Sequence, residues 1–249
     1  MLKSEREQEL LQLLQETGYS SVRALSQRLY TSESTIRRIL AELSRKGLVR
    51  RSYGGVEPLE HFSPAAAFHA RAKEHTDAKE EIARKAAELV PDGSIVFLDQ
   101  STSAYYLAEA LQRKKGLTVV TNNIEIASLL SRTDFDIFVS GGQLSRQMRM
   151  CLVGEDAHST FRQIHGDFAF FSARSLSDDA IVSDCNREEI CVRNAMLKNA
   201  KYKVFLCDSS KFGSLSGFRQ CHLSQLDFLI SEGDQASRFA DCCDSLRTL

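Results

Sequence analysis

The chain has 249 residues, of which 43% are hydrophobic, and a formal net charge of -1. No apolar stretch approaches the ~18 residues that a membrane-spanning helix needs, and the first residues are charged, so we expect a cytoplasmic protein rather than a membrane or secreted one. The seven cysteines form no CxxC pair, and no histidine stands at metal-ligand spacing. This pattern predicts reduced, mostly buried thiols, no metal and no cofactor.

Charge is distributed unevenly along the chain. Residues 1–56 carry ten Lys and Arg against six Asp and Glu, a net +4, whereas residues 57–249 carry 22 against 27, a net -5. Attraction to the phosphate backbone of a nucleic acid would therefore be confined to the first segment. Because +4 is a modest charge, one copy would bind weakly at physiological salt, and we expect a homodimer or homotetramer that presents several copies.

Three helices are predicted in the first segment. The leucine pattern indicates a helix over residues 5–16, which Gly18 ends. A shorter helix follows, and a third begins after Ser32, which we predict to be its N-cap. The side chains expected to form the shared core are those at helical spacing: Leu10, Leu13, Leu14, Val22, Leu25, Leu29, Ile36, Ile39, Leu40 and Leu43.

The outward face of the third helix is polar and basic, as in a helix-turn-helix whose second helix enters a DNA groove. Ser34, Thr35, Arg37 and Arg38 stand at its N-terminal end, where base edges and phosphates are contacted, and Arg45 is placed for a phosphate contact. After Gly47, residues 48–56 read as two strands around a Gly-Gly turn, a wing with Arg50, Arg51 and Tyr53 near its tip. Residues 1–57 are thus predicted to form a winged helix-turn-helix domain; the alternative is a three-helix bundle with a solvated basic face.

An Ala-rich linker with a short helix is predicted over residues 58–75, and a second domain over residues 76–249. Helices and short apolar strands alternate in this domain, which predicts a mostly parallel α/β sheet covered on both faces. The predicted helices span 77–89, 103–113 and 124–131, and the predicted strands span 94–98, 118–121, 136–140, 167–172, 203–208 and 227–231.

Polar residues follow several of these strands. Because ligands of such sheets bind at the carboxyl ends of the strands, we expect one shared pocket there. Asp99, Ser101, Thr102 and Ser103 lie between a strand and a helix, an arrangement that directs N–H groups and hydroxyls at an anion and predicts a phosphate site. The other strand ends supply Thr121, Asn122, Gly141, Gly142 and Lys211.

The N-terminal motif resembles the DNA-binding domain of the DeoR family of bacterial transcriptional regulators. The family pattern is matched at Ser21, Val22, Leu25, Leu29, Ser32, Thr35, Ile36, Arg37, Arg38, Leu40, Leu43, Gly47, Leu48, Arg50, Gly54 and Gly55. Ile39 replaces the usual Asp, and Tyr53 replaces the usual His. On this resemblance we add Ser21 and Ser32 to the predicted DNA-contacting residues.

The resemblance continues through the second domain, where it rests on Asp99, Thr102, residues 119–122, Gly141, Gly142, Gly154, Glu189, Met196 and residues 208–213. It implies an isomerase-like sensor domain that binds a phosphorylated sugar or related metabolite. Ser101, Thr102 and Ser103 would cradle the phosphate, with Lys211 as a nearby cation. The pocket would be lined by Thr121, Asn122 and Gly141, and Glu189 would bind a sugar hydroxyl.

Three departures from the family surround this pocket. Ser101 stands where the family has Gly, residues 171–176 replace a Gly-rich segment, and Arg193 replaces Lys. They predict an altered ligand or a weakened response.

Three functions follow from these features. The first is a DNA-binding transcriptional regulator, more often a repressor of carbohydrate genes, controlled by a phosphorylated effector. The second is a ligand-blind regulator whose second domain serves oligomerisation. The third is a sugar-phosphate isomerase or deaminase with a DNA-binding head, for which Asp99, Asp184, Glu188 and Glu189 are the available carboxylates.

Overall fold

The computed structural model describes residues 9–10, 13–14, 17–45, 49–52, 55–58, 64–146, 148, 150–242 and 246–249. The chain divides into two compact units, residues 1–67 and residues 68–249. The second unit therefore begins inside the segment predicted to be a linker. Within the described residues, no helix is long and apolar enough to cross a membrane, and no group of three or more His, Cys, Asp or Glu side chains is arranged to hold a metal ion.

The first unit is a helix-turn-helix with a small antiparallel sheet. Its elements are β1 (Ser20–Ser21), α1 (Val22–Arg28), α2 (Glu33–Arg45), β2 (Val49–Ser52) and β3 (Gly55–Pro58), with strand order β1-β3-β2. Strands β2 and β3 form the predicted wing, and β1, which the sequence did not predict, pairs with its second strand. Of the predicted first helix, the described residues Glu9, Leu10, Leu13 and Leu14 are helical.

The core of this unit consists of the side chains predicted for it and of two strand residues, Val49 and Val56, that were not predicted. The buried residues are Leu10, Leu14, Leu25, Ile36, Ile39, Leu40, Leu43, Val49 and Val56, with Leu13, Val22 and Leu29 packed against them. Gly55 is required where β1 meets β3, because a Cβ there would lie 2.5 Å from the ring of Tyr19 and 2.6 Å from the Ser20 carbonyl oxygen. The helical spacing of the apolar side chains thus determines which faces of α1 and α2 point into this core.

A further helix, α3 (Pro64–Lys73), occupies most of the predicted linker. Its residues Phe68 and Ala72 are buried. The Phe68 ring meets the Tyr105 ring edge-on at 5.5 Å, and the Tyr106 hydroxyl donates to the Ala72 carbonyl at 3.2 Å. Residues 68–73 are therefore an integral part of the second unit, because their apolar side chains need its surface for burial.

The second unit is built on a seven-stranded parallel sheet. Its elements in chain order are α4 (Thr76–Glu88), β4 (Ile95–Leu98), α5 (Thr102–Leu111), β5 (Thr118–Thr121), α6 (Ile124–Leu130), β6 (Asp136–Val139), β7 (Gln143–Leu144), β8 (Leu152–Val153), α7 (Glu155–Arg162), β9 (Gly166–Phe171), β10 (Ser175–Leu176), β11 (Ile181–Asp184), α8 (Arg187–Lys198), β12 (Ala200–Leu206), β13 (Phe218–His222), β14 (Phe228–Ile230) and β15 (Arg247–Thr248). The sheet order is β15-β14-β12-β9-β4-β5-β6, and every pairing is parallel.

Both faces of the sheet are covered, as predicted. Alternate residues of the central strands enter opposite cores: Phe97 and Phe171 pack with α7 and α8, whereas Val96 and Phe170 pack with α4, α5 and α6. The sequence predicted the strands of this sheet except β15. It did not predict α7, α8, the hairpin β7-β8 or the small antiparallel sheet β10-β11-β13.

The order of the strands determines where the sheet leaves a crevice. The chain runs from β4 outward to β6 and then crosses to β9 on the other side of β4. The order of the strands therefore reverses between β4 and β9, which is where an open α/β sheet leaves a crevice at its carboxyl edge.

The described cysteines do not match the prediction of mostly buried thiols. Cys151, Cys207 and Cys221 are buried, Cys185 and Cys191 are exposed, and Cys242 is partly buried. Cys191 lies on the outward face of α8, and Cys185 lies in the turn before that helix. Burial raises the pKa of the Cys221 thiol to about 12 and also raises the pKa of Cys151 and Cys207, so these three thiols are protonated at neutral pH.

Candidate functional site

The helix α2 turns a polar, basic face away from the core of the first unit. Ser34, Arg37, Arg38 and Arg45 are exposed and Thr35 is half-buried. A guanidinium nitrogen of Arg37 lies 2.9 Å from the Glu33 carboxylate one turn earlier. Within the described residues, Arg38 and Arg45 have no hydrogen-bond or ion-pair partner. Exposed guanidinium groups on a helix that packs against a core can reach phosphates and base edges.

Ser21 and Ser32 support this surface by capping the first turns of α1 and α2. The Ser21 hydroxyl accepts from the Ala24 N–H at 3.1 Å and caps α1. The Ser32 hydroxyl accepts from the Thr35 N–H at 3.3 Å and caps α2 as predicted. Each cap satisfies an N–H that the first helical turn leaves without a partner, and so fixes where its helix starts.

The wing and the turn complete the surface. Arg50 in β2 forms an ion pair with Glu57 in β3, and Arg51 stands opposite Val56 in the same ladder. Tyr53 lies outside the described residues. Tyr30, in the turn between α1 and α2, is 96% exposed, and no role was predicted for it. Its place in the turn of the motif was the signal available in the sequence.

The second candidate site lies at the carboxyl edge of the parallel sheet and is organised by a buried arginine. The Nε of Arg193 lies 3.0 Å from Asp99, and its terminal nitrogens lie 2.8 Å from Asp184 and 3.3 Å from Glu189. We call these four residues the Arg193 cluster. Burial raises the pKa of Asp99 and of Glu189, while the Arg193 charge opposes that rise. The sequence analysis assigned Asp99 and Glu189 to the ligand and placed Arg193 beside the pocket, but it did not predict that Arg193 pairs with both carboxylates.

Asp99 joins the two strands at the crevice. One oxygen of its carboxylate accepts from the Ser101 N–H at 3.0 Å, and the other accepts from the Ser172 N–H at 3.2 Å. The loops after β4 and β9 are thereby tied together at the point where the strand order reverses.

Lys211 belongs to the same end of the sheet. Its ammonium donates to the Ser172 hydroxyl at 2.8 Å and lies 3.0 Å from the Asp208 carboxylate. Lys211 is half-buried, whereas Asp208 is buried. Ser172 therefore connects the predicted cation, Lys211, to Asp99.

A row of amides continues the site from the Arg193 cluster. The Gln100 side-chain N–H donates to Glu189 at 2.7 Å, and the Asn122 side-chain N–H donates to the Gln100 side-chain oxygen at 3.4 Å and to the Leu152 carbonyl at 3.0 Å. The Thr121 hydroxyl accepts from the Asn123 N–H at 3.1 Å. Gln100 is a site residue that the sequence analysis passed over, although it stands inside the predicted phosphate loop.

Two buried polar atoms in this region have no partner among the described residues. They are the Ser103 hydroxyl and the side-chain oxygen of Asn122. A buried polar atom without a hydrogen bond is costly and calls for an explanation, such as a ligand or a water molecule. Ser101 beside them caps α5, its hydroxyl accepting from the Ala104 N–H at 3.1 Å, and Thr102 is half-buried at the first helical position.

Gly141 and Gly142 make their contacts elsewhere. The Gly141 N–H donates to the Thr160 hydroxyl of α7 at 3.3 Å. Gly142 has a φ of 106° and a Cβ there would lie 2.3 Å from the Val153 carbonyl oxygen, so only glycine fits. These glycines follow the edge strand β6 and shape the packing of β8 and α7, whereas the residues after β4 and β9 form the crevice.

Three basic residues that the sequence analysis did not assign also lie near this edge. The Lys79 ammonium donates to the Arg71 carbonyl at 2.5 Å and to the Glu74 carbonyl, and so caps the end of α3. Burial and the nearby charge of Lys211 lower the pKa of Lys79 to about 8. Arg71 donates to the Met148 sulfur at 3.2 Å, and Arg174 is exposed just beyond β9. Arg71 lies in the segment predicted to be a linker, which is why it was passed over.

Comparison with protein families places both sites in a known architecture. The model of the DeoR-like helix-turn-helix domain matches residues 6–61, and the model of the DeoR C terminal sensor domain matches residues 74–233. The chain is 30% identical over 233 residues to the glycerol-3-phosphate regulon repressor of Escherichia coli K12, covering 93% of this chain and 92% of that protein. It is 29% identical over 239 residues to the L-fucose operon activator of the same organism, covering 95% and 98%.

Solved structures show a weaker likeness. Ribose 5-phosphate isomerase A from Neisseria gonorrhoeae is 17% identical, with a TM-score of 0.39 over 54% of this chain and 52% of that chain. The two family models together cover most of the first unit, six of the seven strands of the parallel sheet and the Arg193 cluster. The chain is therefore a member of the DeoR family of transcriptional regulators, with a helix-turn-helix unit followed by an α/β sensor unit.

Proposed function

We propose that this regulator is a repressor of carbohydrate-metabolism genes whose affinity for operator DNA is set by a phosphorylated sugar or related metabolite. The observation that carries the effector part is the pair of buried, unpartnered oxygens of Ser103 and Asn122 beside the N-terminus of α5. A polyol supplies hydroxyls that can donate to both. The relatives named for glycerol 3-phosphate and L-fucose support a carbohydrate context.

The phosphate is assigned to the loop that opens α5. The N-terminus of a helix presents N–H groups and the positive end of its dipole to an anion. Ser101, Thr102 and Ser103 stand there, and Lys211 is linked to the loop through Ser172 and Asp99. Glu189, which already accepts from Gln100, is placed to accept from a sugar hydroxyl.

Turnover of the ligand is not part of the proposal. Of the four carboxylates available as a base, Asp99, Asp184 and Glu189 are bound to Arg193, and Glu188 is exposed. A general base must reach the proton that it removes and be free to accept it. In this site the three buried carboxylates instead hold the crevice together.

DNA binding is assigned to the exposed face of α2, with the wing beside it. We place Ser34, Thr35, Arg37 and Arg38 at the bases and nearest phosphates, and Arg45, Arg50, Arg51 and Tyr53 at the flanking backbone. A homodimer or homotetramer in the cytoplasm would bring several basic units to paired half-sites. The effector controls affinity only if it binds the DNA-competent and DNA-incompetent assemblies differently.

The test measures the affinity of the purified protein for the DNA upstream of its own gene, by fluorescence anisotropy, with and without a panel of sugar phosphates. We expect Arg37→Ala and Arg38→Ala each to weaken binding by about 1–3 kcal/mol. Arg84→Ala is the matched control, because Arg84 is also exposed and pairs with a glutamate one turn away at 2.9 Å, but lies on α4.

The outcomes separate the possible functions. Binding that is unchanged in Arg37→Ala and Arg38→Ala contradicts the assignment of α2 to DNA. If no sugar phosphate changes either the DNA affinity or the melting temperature, the sensor unit is ligand-blind, since a ligand of the native state raises the melting temperature. Conversion of a sugar phosphate to product would show an enzyme.

A further inference from the structure

Two arginines in the sensor unit have opposite surroundings. Arg193 is buried and lies within 3.3 Å of three carboxylates. Arg71 is half-buried, yet none of the described carboxylates lies within 4 Å of its guanidinium, whose one hydrogen bond goes to the thioether sulfur of Met148. A guanidinium has five N–H donors, and a thioether is a weak acceptor. The Arg71 guanidinium is thus partly removed from water, and no described carboxylate forms an ion pair with it.

The position of Arg71 points to the carboxyl edge of the sheet. It lies on α3, whose residues contact the starts of two neighbouring helices: His69 lies 3.4 Å from Glu125 of α6, and Tyr106 of α5 donates to Ala72. Lys79 fixes the end of α3 by donating to the Arg71 carbonyl. Arg71 is connected to the amide row through Met148, because the Cys151 N–H donates to the Met148 carbonyl at 2.9 Å and the Asn122 side-chain N–H donates to the Cys151 sulfur at 3.4 Å.

Arg174 stands on the other side of this region. It follows Ser172, whose N–H binds Asp99, and is exposed without a hydrogen-bond or ion-pair partner among the described residues. Burial lowers the pKa of Arg71, the Glu189 charge raises it, the like charge of Arg174 lowers it, and the charges of Glu74 and Asp184 raise it. Two unpaired cations near each other at a crevice favour an anion between them.

We propose that Arg71 and Arg174 form a second anionic subsite, which binds the carboxylate of a phosphorylated sugar acid. This inference rests on the proposed function, in which the phosphate binds at Ser101, Thr102 and Ser103. The planar fork of a guanidinium matches a carboxylate in a bidentate pair. A carboxylate carries one charge, which suits a crevice whose floor already holds the three carboxyl groups of the Arg193 cluster better than a second phosphate.

The test compares ligands that differ only in this group. Each pair consists of a sugar-acid phosphate and the matched polyol phosphate: 3-phosphoglycerate with glycerol 3-phosphate, 4-phosphoerythronate with erythritol 4-phosphate, and 6-phosphogluconate with glucitol 6-phosphate. Affinities are measured by isothermal titration calorimetry on the full chain. In at least one pair we expect the acid to bind about tenfold to a hundredfold more tightly than the polyol, since hydrogen bonds to a charged group contribute that much.

Variants then assign the preference to the two arginines. Arg71→Gln and Arg174→Gln should reduce the acid-to-polyol ratio towards one while leaving the polyol phosphate bound. Arg71→Lys, which keeps the charge but not the fork, should restore part of the ratio. Arg84→Gln, on the outer surface of α4, is the control and should leave the ratio unchanged.

Each failure has its own meaning. Equal affinities within every pair, or a preference that survives in both Gln variants, would overturn the second subsite and leave the phosphate site standing. If neither member of any pair binds, the proposed phosphate site fails, and the second subsite fails with it.

Discussion

The two units of this regulator place their functional side chains in opposite ways. In the helix-turn-helix unit, the basic side chains of α2 are exposed, and the apolar core that supports them is separate. In the sensor unit, Asp99 and Glu189 are buried and paired with Arg193, and the buried Asn122 donates to Gln100. Function and stability should therefore be separable by substitution in the first unit and linked in the second.

The strongest test of this contrast is Arg193→Met. The substitution leaves three buried carboxyl groups without their counter-charge, and breaking a buried ion pair from one side costs about 3–5 kcal/mol. We expect the free energy of unfolding of the sensor unit to fall by that amount in urea denaturation. An effect below about 1 kcal/mol would show that the Arg193 cluster does not hold the crevice together.

The same variant makes a prediction about pH. Burial raises the pKa of Asp99 and of Glu189, and loss of Arg193 raises both further. A carboxyl group whose folded pKa lies above its unfolded value binds more protons in the native state, so stability falls as the pH rises through that interval. The loss of stability in Arg193→Met should therefore be greater at pH 8 than at pH 5; a loss that is equal at both values would contradict it.

In the first unit, Arg45→Ala should alter binding and leave stability nearly unchanged. Arg45 is exposed in the last turn of α2. As a phosphate contact it should weaken binding to all DNA sequences alike and reduce the slope of log affinity against log salt by about one. The measurement is a salt titration of anisotropy, with urea denaturation beside it. A change in sequence preference with no change in the salt slope would show that Arg45 contacts a base and not a phosphate.

A smaller effect is expected where each unit uses a serine as a helix cap. Ser32 caps α2 and Ser101 caps α5 through hydroxyls that accept from backbone N–H groups. Alanine at either position should lower stability by about 1 kcal/mol. Only Ser101→Ala should also weaken binding of a sugar phosphate, measured by calorimetry. Equal ligand affinity in wild type and Ser101→Ala would place the phosphate away from this loop.

The accuracy of the sequence analysis differs in the same two regions. Ile36, Leu40 and Leu43 repeat at helical spacing, and a helix in contact with one core must bury that stripe, so the inward face of α2 could be predicted residue by residue. In the sensor unit, the alternation of apolar strands with helices predicted the parallel sheet. Helix α8 was not predicted, because Glu189 and Arg193 lie on its buried face and interrupt the apolar pattern.

Arg71 shows what local sequence cannot provide. Its neighbours are Ala-rich and carry no strong period, and its distance in sequence from Met148 and Arg174 hides their proximity in the fold. Buried polar contacts between distant segments follow from topology, since the reversal of strand order between β4 and β9 decides which loops meet.

The last prediction concerns Lys79, which is buried like the residues of the Arg193 cluster but contacts backbone carbonyls instead of carboxylates. Its pKa is lowered to about 8, chiefly by burial and then by Lys211. A lysine whose folded pKa lies below its unfolded value of roughly 10.4 binds fewer protons in the native state over that interval. The full cost of burying the charge is therefore present below pH 8, and stability should rise between pH 8 and 10. Lys79→Met and Lys79→Arg, neither of which titrates there, should lack this rise in the melting temperature. A rise that persists in both variants would assign it to another group.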